Sequence, residues 1–193
     1  MKTARAAALP PEARRQCIAE ATLGLLLARG PGVTTRQIAE AAGVAEGTIF
    51  RAFADKDAVL RAAIDLAFDT APTERALEAI DRSRSLAEQL ADAVRIIQER
   101  NSSIWRVVEA VGDTDVLRDR EHQPPPDLVA LADLLRPHRH ELRHEPALAA
   151  RELRALTLAL THPALFGDEP MSPDAIVELL LHGIRGPKGS APC

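Results

Sequence analysis

Side chains suited to nucleic-acid chemistry concentrate between Val33 and Leu60. Arg51 carries a planar guanidinium that can pair bidentately with the O6/N7 edge of guanine, and Thr48 offers a hydroxyl that can both donate and accept. Gly47, beside them, would let the backbone approach a phosphate or a base edge, and Glu46 completes the same polar side. Arg36 is placed for a base or a phosphate, and Lys56 for a phosphate. A second constellation is the run His140 to His144, H-E-L-R-H, which matches the zinc-binding pattern H-E-x-x-H. That pattern needs two histidines on one face of a buried helix. Here Pro137 and Pro146 leave room for two helical turns at most, and His138, Arg139, Arg143 and Glu145 make the surroundings polar. No third ligand is placed, so no metal site and no cofactor are expected. A glycine-rich phosphate loop, a nucleophile elbow and a paired-cysteine zinc site are likewise missing from the sequence.

The elements that must hold the first set in place can be read from capping and periodicity. Thr34 and Gln37 have capping-box spacing, so a helix should start after Thr34. Ile38, Ala39 and Ala42 form its apolar stripe, and Gly43 follows as a residue able to take a left-handed conformation. Val44 would plug the turn against the core. A second short helix is expected over Glu46–Ala52, with Ile49, Phe50 and Phe53 as its apolar side, and Asp55 should cap a third. The spacing therefore predicts a helix-turn-helix over residues 34–53, whose second helix is small enough for a major groove. Two short helices around a glycine also occur in all-helical proteins that never touch DNA, so spacing alone leaves both readings open.

The residue pattern narrows this. Residues 11–68 resemble the N-terminal domain of the tetracycline-repressor (TetR) family of bacterial transcription regulators. The likeness rests on Gly30, Thr34, Thr35, Ile38, Ala39, Ala42, Gly43, Val44, Gly47, Thr48, Ile49, Phe50, Phe53, Lys56 and Leu60. It implies a DNA contact surface made by Thr34, Thr35, Arg36, Ala45, Glu46, Gly47, Thr48, Phe50, Arg51 and Lys56. Three positions depart from the family pattern. Ala45 stands where a serine-like cap is usual, Phe50 where tyrosine is usual, and Ala52 where a second aromatic or histidine is frequent. An alanine N-cap costs about 1 kcal/mol relative to serine, and two backbone-contacting hydroxyls are lost. The burden of recognition should then move to Arg51, Thr48, Arg36 and Lys56.

The chain has 193 residues, enough for one subunit of that kind. Aromatic residues make up 3%, too few for a large sheet, and the apolar share of 46% suits a helical core. Formal net charge is −4, so the molecule as a whole is not basic, although Lys2, Arg5, Arg14 and Arg15 face only Glu12 near the N-terminus. Cys17 and Cys193 provide no disulfide framework. Neither a secretory signal nor a bilayer-spanning run is recognisable, which points to a cytoplasmic protein without membrane contact.

An all-α fold of about nine helices is expected, in four parts; beyond residue 70 the pattern predicts helices over about 85–100 and 104–111, a loop over 118–126 and a further helix capped by Asp127. Residues 1–10 would be an arm, with Arg5 a candidate for the minor groove. Residues 11–69 would be the DNA-binding domain, whose last helix, from Asp55 to Asp69, would bridge to the rest. Residues 70–185 would form a helical ligand-binding and dimerisation domain, and 186–193 a disordered tail. Candidate effector-pocket residues are Ile97, Arg100, Trp105, Val108, Glu109, Leu131 and Leu134, each of which could equally be core. The two last long helices carry Leu148, Leu153, Leu156, Leu160, Ile176, Leu179, Leu180 and Ile184. In the family the corresponding helices pair two subunits; as plain sequence these leucines would also serve as core. The resemblance thus implies a non-enzymatic regulator, most often a repressor. It would bind a palindromic double-stranded operator as a homodimer and release it on meeting a small-molecule effector. The competing reading is a helical small-molecule-binding module that has lost DNA recognition.

Overall fold

Helix starts and stops follow capping chemistry. Pro11 opens α1 (Pro11–Arg29), which ends at Gly30. The Thr34 hydroxyl accepts the Gln37 backbone N–H at 3.2 Å while Gln37 Oε1 accepts the Thr34 N–H at 2.8 Å, a complete capping box for α2 (Thr35–Ala41). Gly43 then takes φ +65°, a left-handed turn that an L side chain would strain, and the Val44 N–H returns to the Ala39 carbonyl. α3 (Glu46–Ala52) follows with Ala45 as an N-cap that offers no side chain. Asp55 Oδ1 accepts the Ala58 N–H at 2.7 Å to start α4 (Lys56–Phe68).

The chain continues through α5 (Ala71–Glu78), α6 (Leu86–Val111), α7 (Asp115–Glu121) and α8 (Val129–Leu135). A 3-10 segment (Arg136–Glu141) precedes α9 (Pro146–Thr161), the single turn α10 (Pro163–Phe166) and α11 (Pro173–His182). This computed structural model describes residues 10–121, 126–167 and 169–182, and no strand occurs among them. The fold is all-α, as expected, with more helices than nine. The N-terminal arm with Arg5, the tail 186–193 and Ile184 lie outside the described residues.

Two compact units divide the chain. The first comprises Met1–Asp69 with Ser103–Pro124, the second Thr70–Ser102 with Pro125–Cys193. α4 lies wholly in the first unit, whereas α6 contributes residues to both. The first core gathers Ile18, Leu26, Val33, Ile38, Ile49, Phe53, Val59, Ile64, Val107 and Val111. Burying each such side chain contributes about 1.5–3 kcal/mol before the cost of ordering it. The second core gathers Leu77, Leu90, Val94, Ile97, Leu131, Leu134, Leu135, Leu153 and Ile176.

Several elements differ from the sequence expectation. The two helices expected over 85–100 and 104–111 are one, α6, because Asn101-Ser102-Ser103 is polar but holds no breaker. α7 occupies part of a stretch expected to be loop, since the prolines begin only at 124. α5 was hidden by Pro72, which sits in its first turn, where proline is tolerated. Asp127 does not cap α8. Glu74 of α5 does so instead, its carboxylate accepting the N–H groups of Val129 at 2.9 Å and Ala130 at 2.8 Å.

Candidate nucleic-acid interface

α3 is seven residues long and buries one edge only. Ile49 (1% exposed) and Phe53 (4%) point into the first core, four positions apart and therefore on one side. Glu46, Gly47, Phe50 and Arg51 are exposed, and Thr48 is half-buried. Phe50 corrects the sequence reading: expected on the apolar side, it is 55% exposed, because one residue turns the helix away from Ile49 by about 100°.

The space beside Gly47 is informative. Nothing lies within 4 Å of where its Cβ would stand, and its φ is not positive. Neither packing nor backbone geometry inside the chain therefore requires glycine there. A requirement can come only from something that approaches α3 from outside.

Side chains from α1 and α2 hold both ends of α3. At the N-terminal end the Thr35 hydroxyl donates to Glu46 Oε1 at 2.6 Å. At the C-terminal end Arg15 donates to the Ala52 carbonyl, and its guanidinium carbon lies 4.4 Å from the centroid of the Phe53 ring. The second contact satisfies one of the orphan carbonyls of the last turn and puts a cation at the negative end of the helix dipole. Arg15 carried no motif signal; only the fold brings it to α3.

The remaining candidates divide by what already occupies them. Thr34 is committed to its capping box, its hydroxyl also donating to Gln37 Oε1 at 3.2 Å. Lys56 Nζ donates to the Pro31 carbonyl at 3.3 Å, which uses one of its three protons and fixes the ammonium beside the start of α4. Arg36 and Arg51 are exposed, and neither makes a side-chain hydrogen bond or ion pair among the described residues. Ala45 is exposed at the N-cap of α3. The first unit thus presents two open guanidiniums, a tethered ammonium, a carboxylate, an exposed aromatic ring and an uncovered glycine on and around one short helix.

The other candidate sets are spread more widely. Ile97, Leu131 and Leu134 are fully buried in the second core. Arg100 belongs to the same unit, where Nη1 donates to Thr73 Oγ1 at 3.5 Å. Trp105, Val108 and Glu109 belong to the first unit, the first two half-buried and the third exposed. Four of the seven pocket candidates thus belong to the second unit and three to the first. The second unit also contains a cleft of about 430 Å³ lined by Leu90, Leu135, Leu142, Leu153, Leu180 and Glu152, among others. Of the apolar residues on α9 and α11, Leu153 and Ile176 are fully buried in their own core. Leu156, Leu160 and Leu180 are half-buried against that core, Leu179 is half-buried, and Leu148 is 46% exposed.

The H-E-L-R-H run is not an α-helix. His140 and Glu141 lie in the 3-10 segment and His144 beyond it, where His144 Nδ1 meets Glu152 Oε1 at 2.7 Å. Among the described residues no group of three or more His, Cys, Asp or Glu is arranged to hold a metal ion.

An all-helical chain with an exposed second helix in a helix-turn-helix has the architecture of a DNA-binding regulator. Comparison with known proteins makes this specific. Residues 18–63 match the family model described as bacterial regulatory proteins, tetR family. No curated protein sequence matches the chain. Among solved structures, the fold is similar to NalD of Pseudomonas aeruginosa, the secondary repressor of the MexAB-OprM multidrug efflux pump. The two are 25% identical over 89% of this chain and 94% of that one, with a TM-score of 0.52. LfrR of Mycobacterium smegmatis, solved with proflavine, shares 23% identity over 91% and 98%, TM-score 0.52. FadR of Thermus thermophilus, a repressor solved with lauroyl-CoA, shares 22% over 93% and 99%, TM-score 0.56. Residues 18–63 thus match the tetR-family model, and the fold of the chain is similar to that of solved tetR-family regulators.

Proposed function

We propose that this protein is a ligand-responsive transcription regulator, acting as a repressor, that binds a palindromic operator as a homodimer and leaves it when a small molecule binds. The observation that carries the reading is the exposed face of α3, where Glu46, Gly47, Phe50 and Arg51 are spent on no internal packing. A two-fold pair would present two such helices to successive major grooves, roughly 34–36 Å apart. Arg51 reads a base edge, and Arg36 and Lys56 hold phosphates. Thr34 and Thr35 set the start of α2, and Ala45 and Thr48 border the contact.

Release follows from differential affinity. An effector that binds better to the state with mismatched helix spacing draws the population toward it. The 430 Å³ cleft of the second unit falls in the size range of small-molecule sites and supports a ligand-binding role. The relatives solved with proflavine and lauroyl-CoA support the same role by analogy of fold. Homodimerisation is supported by apolar side chains left on the surface of α9 and α11, with Leu148, Leu158 and Leu181 between 38% and 46% exposed. No described helix is long and apolar enough to cross a membrane.

One observation favours the alternative of a ligand-binding module without DNA recognition. α3 lacks a side-chain N-cap at Ala45, and its exposed ring, Phe50, has no hydroxyl for a phosphate. Selection from a pool of random duplexes separates the two. An enriched inverted repeat establishes the regulator; failure of any sequence to enrich at low salt establishes the module.

A further inference from the structure

The Thr35–Glu46 hydrogen bond has consequences for which base the protein prefers. Glu46 is the first residue of α3, exposed, and held through one oxygen only, Oε1, 2.6 Å from the Thr35 hydroxyl. Thr35 is itself fixed as the first residue of α2 behind the Thr34–Gln37 capping box. A glutamate on a free helix turn would sample many rotamers. This one is tied at one oxygen, so its other oxygen, Oε2, is presented from a restricted position.

An ionised carboxylate only accepts hydrogen bonds. Among major-groove base edges, guanine offers N7 and O6 and thymine offers O4, all acceptors that repel it. Adenine offers an amino donor, but with the acceptor N7 beside it. Cytosine offers the N4 amino donor with no acceptor on its own major-groove edge. The same negative charge, at the end of α3 where free N–H groups would otherwise attract a phosphate, opposes a backbone contact there. We propose that Glu46, oriented by Thr35, is a specificity determinant that selects cytosine at one position of each operator half-site. This rests on the DNA-binding reading above and adds to it a base and a positioning residue.

The test is binding-site selection followed by competition between duplexes differing at single positions, with wild type, Glu46→Gln, Thr35→Val and Thr35→Ser. Wild type should show one position per half-site where cytosine is preferred by roughly 5- to 160-fold, the range a good base contact provides. Glu46→Gln replaces an acceptor-only group by an amide that can pair with adenine N6 and N7, and should move the preference at that position from cytosine to adenine. Thr35→Val keeps the shape but frees the carboxylate, and should shrink the cytosine preference several-fold while leaving the other positions as they were. Thr35→Ser should retain it.

The outcomes are distinct. If wild type enriches no sequence, the regulator reading fails and this inference fails with it. If wild type enriches an operator but Glu46→Gln leaves every base preference unchanged, only this inference is overturned. It is also overturned if Glu46→Gln tightens binding equally on all sequences and steepens the salt dependence, since Glu46 would then merely repel phosphates. Amide hydrogen exchange across α2 and α3 in each variant confirms that a changed preference does not come from an unfolded motif.

Discussion

At the scale of single residues, Gly47 and Arg51 separate what the fold needs from what recognition needs. A Cβ at Gly47 would meet nothing within 4 Å, so Gly47→Ala should leave thermal stability unchanged or raise it by up to about 1 kcal/mol. Operator affinity should fall, because the added methyl stands on the face proposed to approach DNA. Thermal unfolding and a binding titration on the same sample check both halves, and equal affinity would mean α3 does not come close to a duplex. Arg51→Ala removes an exposed guanidinium with no internal partner among the described residues. It should cost about 1–3 kcal/mol on the operator and relax one base position, with no change in unfolding temperature. The ring of Phe50 belongs on this same face, and its 55% exposure explains why the apolar reading of a seven-residue helix fails there. Periodicity counts apolar residues but cannot distinguish a core ring from one left to meet a partner.

At the scale of elements, stability and function depend on side chains that reach across helices. Arg15 ties the last turn of α3 to α1 through Ala52 and the face of Phe53. Arg15→Ala should lower stability by about 1 kcal/mol and speed amide exchange in α3. Arg15→Lys should restore only part, since an ammonium lacks the planar fork. Operator affinity should drop while the salt slope holds; a shallower slope would make Arg15 a phosphate contact instead. Such contacts explain how far the fold was legible in the sequence. The bounds of α1, α2 and α3 follow from local signals: Pro11, Gly30, the Thr34–Gln37 box, Gly43 and Asp55 each act within a few residues. The start of α8 does not, because its cap is Glu74, more than fifty residues earlier and invisible to any local pattern. Asp127, the local candidate for that cap, instead pairs bidentately with Arg151 of α9 at 2.9 and 2.6 Å. The exposed positions of α3 could be proposed as a contact surface because they lie in one short segment, but Arg15 and the Thr35–Glu46 bond could not be read, since they depend on how three helices pack. The pocket candidates are harder to read: apolar residues at helical spacing such as Ile97, Leu131 and Leu134 are what a core also requires, and the structure buries them.

At the scale of the whole molecule, charge pairing and surface apolarity set the conditions under which it works. The Arg151 hydrogen bonds hold the Asp127 carboxyl below its ordinary value of 3.8, and the Arg139 hydrogen bonds likewise lower Glu145 from 4.5. A carboxyl whose folded-state pKa is depressed contributes stability that is fully present above the unfolded value and fades as pH falls through the folded one. Stability should therefore be flat from neutral pH to about 5 and decline below 4.5, less steeply in Asp127→Asn than in wild type; an equal decline would remove Asp127 from the cause. The proposed pairing of two subunits would use a different surface. Leu148 and Leu158 are exposed on α9 and ten residues apart, nearly three helical turns, so they share a face with Ala155. Leu153, on the other side of α9, is fully buried and has no surface left for a partner. If Leu148 and Leu158 pair two subunits, the double variant Leu148→Asp, Leu158→Asp places charges in an apolar contact without touching the internal core. Sedimentation should then show a monomer with wild-type helix content. Its affinity for a full inverted repeat should fall about 10²-fold or more, because the second half-site is no longer linked to the first, whereas affinity for an isolated half-site should hold. A dimer that survives both substitutions would put the interface elsewhere, and a monomer that still binds the full repeat with wild-type affinity would break the connection between pairing and operator recognition.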